Sequence, residues 1–433
     1  MSQIAGQASQ NSYAQTLERI AKDPRMAQDN ITLPASMTGA LARLFLFIGV
    51  AGLLLTVVGG FVYGPKHAMA SYLVGVGAVL SISLGALFFV MIFYQVNAGW
   101  WATIKRQMEN LMSLLPIALL MLVPLFVLDI AFTKGTLWEW LNPDIMANDP
   151  LLLKKAPYLN PIRFVAFFVL YLAAWSFITM RLRSLSLAQD RTGNPLLTNK
   201  AKFMSAWGLP ISALMTAFMG FDYFMSLEPH FFSTMWGVYI FAGGVVGCFA
   251  VLALTFAGLR MVGRLNGIIT EEHFHDTGKL LFAFVCFWTY IAFSQYFLIW
   301  YSNIPEETFY MLERKTGGWE VLSAGLAVGH FVIPFMFLLP RTIKRNPKFL
   351  ALGAGWVLFM HVMDYVWIVR PILHQGEGDF VVPTPATWWV DVAAILGVLG
   401  IFFGLYVLRM GSAPLIPLKD PKLSEALEHK NYV

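Results

Sequence analysis

Ten separated apolar stretches of membrane-crossing length run along this chain of 433 residues. A hydrocarbon core about 30 Å thick is crossed by about 20 residues of helix, so each stretch predicts a span. The spans are expected over 41–62, 71–93, 111–132, 162–181, 206–226, 234–259, 279–301, 319–339, 348–370 and 388–409. Hydrocarbon offers no water to an open backbone, and runs this long close their hydrogen bonds as helices. The expected fold class is therefore all-α integral membrane. Composition agrees, since 58% of the residues are hydrophobic and only 13% are charged, far from a soluble domain. The first 40 residues are polar and show no signal-peptide pattern, so insertion is expected to rely on the spans themselves.

Lys and Arg set the expected orientation. With the amino terminus inside, 22 of the 30 fall in inner segments, which places both termini in the cytoplasm. The net charge of +5 then describes an inner face against anionic lipid and gives no reason to invoke nucleic acid. The two cysteines, Cys248 and Cys286, sit singly in different spans. That spacing supports neither an iron–sulfur cluster nor covalently attached haem on this chain.

A motif recurs. Asp222-Tyr223 precedes Pro229 by seven residues, counted from the acid, and Asp364-Tyr365 precedes Pro371 by the same seven. The copies lie four spans apart, an even number, so they point the same way across the membrane. A weaker echo pairs Asn194-Pro195 with Asn346-Pro347. The expected organisation is a polar segment at 1–40, a flanking span at 41–62 and a first four-helix bundle at 71–232. A second bundle at 233–371, a flanking span at 388–409 and a tail at 410–433 complete it.

Ionisable side chains within lipid depth cost at least about 2.5 to 3.5 kcal/mol each on insertion scales, so they mark where function is to be sought. Asp222, Asp364, Asp129 and Asp391 all fall in the outer part of their spans. His361 lies three residues before Asp364, on the same helix face, and His330 on the preceding span falls at a similar depth. Together they form a candidate proton relay, because histidine titrates near neutrality. Glu228, His230, Glu306 and Glu307 are the candidate outer exit, and Glu228 and Arg370, of opposite charge at matching repeat positions, are candidates to contact each other or partner subunits. The inner half is expected to offer only hydroxyls such as Ser113, Thr179 and Thr216. The structural alternative has these acids reaching the interface and these histidines bonding a neighbouring hydroxyl or carbonyl. The outer loop from Thr133 to Pro161 is either a partner surface or a cap over the first bundle.

The strings FMGFDYFMSLEPHFFSTMWGVYIFAGG (218–244) and HDTGKLLFAFVCFWTYIAFSQYFLIWYSNIPEET (275–308) resemble the ActF-type membrane subunits of bacterial alternative complex III, in the NrfD/polysulfide reductase membrane-subunit family. The resemblance runs along essentially the whole chain. It implies a multi-pass subunit in a bacterial inner membrane, belonging to a quinol:cytochrome c oxidoreductase, and contributing a proton-conducting path and docking without catalysis of its own. The implied partners are an ActC-like membrane subunit, an iron–sulfur subunit and haem c subunits, together with lipid. A quinone such as menaquinone is the implied small molecule, and no metal is expected on this chain. Parallel repeats also occur in secondary transporters, and a purely structural anchor is a third class consistent with these residues.

Overall fold

The computed structural model describes residues 13–374 and 385–431. Among these described residues ten helices are long and apolar enough to cross a membrane, and each overlaps one of the expected spans. We number them α1 (Ala35–Tyr63), α2 (Pro65–Gln95), α3 (Lys105–Phe132), α4 (Pro161–Thr192) and α5 (Leu196–Tyr223). The second half comprises α6 (Trp236–Met261), α7 (Glu271–Ser302), α8 (Trp319–Leu338), α9 (Pro347–Val369) and α10 (Trp388–Gly411). The protein is an all-α integral membrane protein. With ten such helices, the start of α1 and the end of α10 lie on one side, called here the terminal end; the opposite side is the far end.

Local chemistry explains where the helices start. Asn160 and Asn346 each cap a helix whose first residue is proline, accepting backbone N–H groups that no turn can satisfy. Asn194 accepts from Leu196 N at 3.0 Å at the head of α5. The Asn-Pro echo in the sequence is thus a pair of helix-start signals.

Two spans are irregular. In α3, Pro116 and Pro124 divide the helix into short pieces that end in a π-helical turn, Val127–Phe132. In α8 a π-helical turn, Ala327–Val332, precedes the piece holding Pro334. Proline removes a backbone donor, and a π turn absorbs the misfit. Asp129 sits in the first π turn and His330 in the second. Pro210, by contrast, is carried within α5.

The centre is made by α2 and α6, both almost wholly buried. They approach so closely that a Cβ on Gly85 would strike the Gly244 carbonyl. In lipid, helix association rests on such close packing rather than on hydrophobic exclusion, and small residues permit it. The same device joins α1 to α10, where Gly49, Gly52, Gly397 and Gly400 meet. Phe47 and Phe61 on α1 are 73% and 87% exposed, as a lipid-facing surface requires.

One sequence expectation is corrected. The third span begins at Lys105, six residues earlier than expected, and Lys105, Arg106, Gln107, Glu109 and Asn110 are all buried. The terminal half therefore holds charged groups as well as hydroxyls. A strongly polar run reads as loop in sequence, but here its charges are matched by others brought from α4 and the carboxy-terminal tail.

Candidate functional site

Asp364 lies on α9, 1% exposed. Its Oδ1 accepts the hydroxyl of Tyr239 on α6, and its Oδ2 accepts the indole N–H of Trp288 on α7 at 3.2 Å. Among the described residues no cation pairs with it. Three helices thus converge on one carboxyl with only neutral donors.

The Trp288 ring also packs against His330 with centroids 4.0 Å apart. His330 is fully buried, and neither of its ring nitrogens has a hydrogen-bond partner. His361, one turn before Asp364, turns to α2, where its Nε2 lies 3.1 Å from Ser81 Oγ; its Nδ1 has no partner. The two residues share a helix face without bonding to each other. Gly243 on α6 lies against both His361 and Trp288, since a Cβ there would sit 3.6 Å from His361 Nδ1 and from Trp288 Cδ1. Trp288 thus joins Asp364 to His330, while His361 faces Ser81 on α2.

Asp222 is equally buried but differently held. Its Oδ1 accepts from Arg163 at 2.8 Å and from the Tyr158 hydroxyl at 2.9 Å, while Oδ2 accepts from Tyr171 at 2.7 Å. Arg163 lies over the Tyr158 ring at 3.4 Å. Tyr158 and Trp138 come from the far-end loop, which folds down as a cap over the end of α5, and burial together with the Asp222 charge pushes the Tyr158 hydroxyl above its usual range.

Asp129 is the staple of that cap. It accepts from the backbone of Leu137 at 2.9 Å and of Trp138 at 2.8 Å, and from Thr133 Oγ1 at 2.8 Å. Asp391 meets Arg370 through two contacts of 3.0 and 3.1 Å and accepts from Ser71 at 2.7 Å. Arg370 therefore ties the end of α9 to α10, and of its two candidate contacts the one with Glu228 gives way to this forked pair, whose planar geometry suits a carboxylate.

The candidate exit residues divide into two groups. His230, Glu306 and Glu307 line one surface pocket of about 560 Å³ at the far end, where His230 pairs with Asp149 at 2.6 Å. Glu228 is instead buried, beside the carboxyl of Glu313. Burial and the Glu228 carboxyl hold Glu313 above the usual carboxylate range, with Arg314 partly opposing them. Sequence reading passed over Glu313 because it lies in a short polar segment between spans, with no periodic signal that it is enclosed.

A cavity of about 900 Å³ opens between α7 and α8. Tyr239 and Trp288, the two donors to Asp364, form part of its wall, and Gln295, Tyr296, Lys315 and Phe335 line the rest. Gln295 accepts from Ser233 at 3.0 Å, but its Nε2 is buried without a partner. No metal-holding group of His, Cys, Asp and Glu is found among the described residues. No family model and no curated protein matches the chain.

Proposed function

We propose that this chain is the proton-conducting membrane subunit of a quinol-oxidising electron-transfer complex of the alternative complex III type, docking to partner subunits that carry the iron–sulfur clusters and haem c. The observation that carries the reading is the Asp364 carboxyl, buried and held by Tyr239 and Trp288 without a cation. A carboxylate locked to arginine keeps its charge through a fixed partner. Asp364 has no such partner, and it can hold a proton or release one with only neutral neighbours to rearrange. His330 and His361 supply buried imidazoles beside it, each with a nitrogen free of hydrogen bonds. The sequence strings given above supply the assignment to a quinol-oxidising complex.

The quinone implied by that resemblance fits the cavity between α7 and α8 on one observation, the unpartnered Gln295 Nε2 in its wall. Gln295 would hold a ring carbonyl, and the aromatic wall around Phe293, Phe331 and Phe335 would hold an isoprenoid tail. A bound quinol supplies electrons and protons together. Tyr239 and Trp288 stand between such a group and Asp364.

The test replaces Asp364 with Asn in the assembled complex and measures protons released per electron. A lower ratio is expected. An unchanged ratio at unchanged turnover would overturn the relay, and isolation of the chain from its native membrane without iron–sulfur or haem-bearing partners would overturn the assignment to a complex.

A further inference from the structure

The first bundle carries a second buried polar centre, at the terminal end. Glu109 on α3 is fully enclosed, and both its carboxylate oxygens lack a hydrogen-bond donor. Arg106 Nη1 stands 3.5 Å away. Ser186 on α4 presents its hydroxyl to the same carboxyl without closing a hydrogen bond. The neighbouring charges are already matched. Lys105 pairs with Asp420 at 2.7 Å, and Arg106 pairs with Asp190. Arg183, also near Glu109, donates to Ser412 at 3.2 Å and leaves Nη1 without a partner. Glu109 and Arg183 thus keep hydrogen-bonding capacity that no protein group fills.

From this centre a polar file runs up one face of α4. Ser186, Arg183, Thr179, Trp175 and Tyr171 recur at helical spacing, and each is buried. Ser186 and Tyr171 are about 22 Å apart at 1.5 Å per residue. At the upper end the Tyr171 hydroxyl donates to Asp222. The Trp175 indole N–H has no partner. Neither do the buried hydroxyls of Ser212 and Thr216 on α5, the helix packed against α4. Buried polar groups left open by the protein are commonly completed by internal water, which needs two to four polar partners at each position.

We infer that Glu109 is the proton-loading group of the first bundle at the terminal end, and that a file of internal water along α4 links it to Asp222. This rests on the proton-conducting reading for its use, though the water file has a test of its own. The expected bound species are water and protons. The cations Lys105, Arg106 and Arg183, with Arg409 beside Arg183, face the carboxyls Glu109, Asp190 and Asp420, so charges of both signs already stand around the pocket.

Hydroxyl-radical footprinting of the full chain in lipid nanodiscs reads water beside buried side chains, whatever the activity. Trp175 is expected to oxidise several-fold faster than Trp138, which is as deeply buried but has its indole N–H bonded to the Tyr223 carbonyl at 3.3 Å. Equal, slow oxidation of both would overturn the water file. Proton flux into liposomes under a potassium diffusion potential reads the role of Glu109. A drop of about tenfold is expected in Glu109→Gln, with recovery in Glu109→Asp and unchanged elution of both variants on size exclusion; Ser212→Ala with Thr216→Val, which spares the charges, should lower flux less. Flux unaltered in Glu109→Gln would overturn the loading role. Fast oxidation of Trp175 with no flux in the unmodified chain would sink the conduction reading and Glu109's part in it, and leave the water file standing.

Discussion

The Arg163 guanidinium reaches the Asp222 carboxylate at 2.8 Å, and this one contact separates the two recurring acids. Both occupy the same place in an Asp-Tyr motif, both are 1% exposed and both accept tyrosine hydroxyls. Only Asp222 has a cation. The first acid is thereby fixed as one end of an ion pair, while the second is left to neutral donors.

Breaking that pair from either side should show which partner depends on the other. Arg163→Ala leaves a buried carboxylate with hydroxyl donors alone. Removing one member of a buried pair costs about 3 to 5 kcal/mol, and the partial exposure of Arg163 brings the expectation down to about 2 kcal/mol. Asp222→Asn added to Arg163→Ala should recover most of the loss, because the uncompensated charge is then gone. Thermal unfolding of the four proteins in one detergent measures this; a double variant as unstable as the sum of the singles would show that the two residues act separately.

A second expectation concerns pH at the far end. Burial and the neighbouring Glu228 raise Glu313 above its ordinary value of 4.5. An acid raised on folding binds more protons folded than unfolded. Its penalty is absent below 4.5, and it grows as pH climbs from there to the folded value. The thermal midpoint of the unmodified chain should therefore fall as pH rises through this window. Glu313→Gln should flatten the fall and be the more stable protein at the alkaline side. Parallel pH series on the two chains check it, and an identical slope in both would locate the pH dependence elsewhere.

The spans were legible because length and apolarity are one-dimensional properties; helix caps such as Asn346-Pro347 were legible for the same reason. Four intramembrane acids could be named because any charge in an apolar run stands out. Their partners could not. Arg163 reads as a loop-edge cation and Tyr158 as an interfacial aromatic, and nothing local says that both turn onto Asp222. Arg370 is closer in sequence to its true partner Asp391 than to Glu228, but the repeat pattern directed attention to the wrong one. The run from Lys105 to Asn110 was hidden more deeply. Its polarity is that of a surface loop, and its burial depends on Asp190 and Asp420, which come from distant parts of the chain. Trp288 was invisible as a functional group because tryptophan in a span reads as packing.

Trp288 is where the surroundings of Asp364 are most open to test. Its N–H serves Asp364 and its ring supports His330, so substitution by Phe separates the two roles. Trp288→Phe keeps an aromatic face for the imidazole and removes one of the two donors to the acid. A lost neutral hydrogen bond costs about 1 kcal/mol, a modest change in thermal midpoint. Tyr239→Phe removes the other donor at similar cost. With both gone, Asp364 loses both of its hydrogen-bond donors. If the acid carries protons through these donors, the double variant should release markedly fewer protons per electron in the assembled complex, with each single variant in between. If the acid only braces α9 against α6 and α7, the double variant should lose thermal stability while the proton ratio stays where it was.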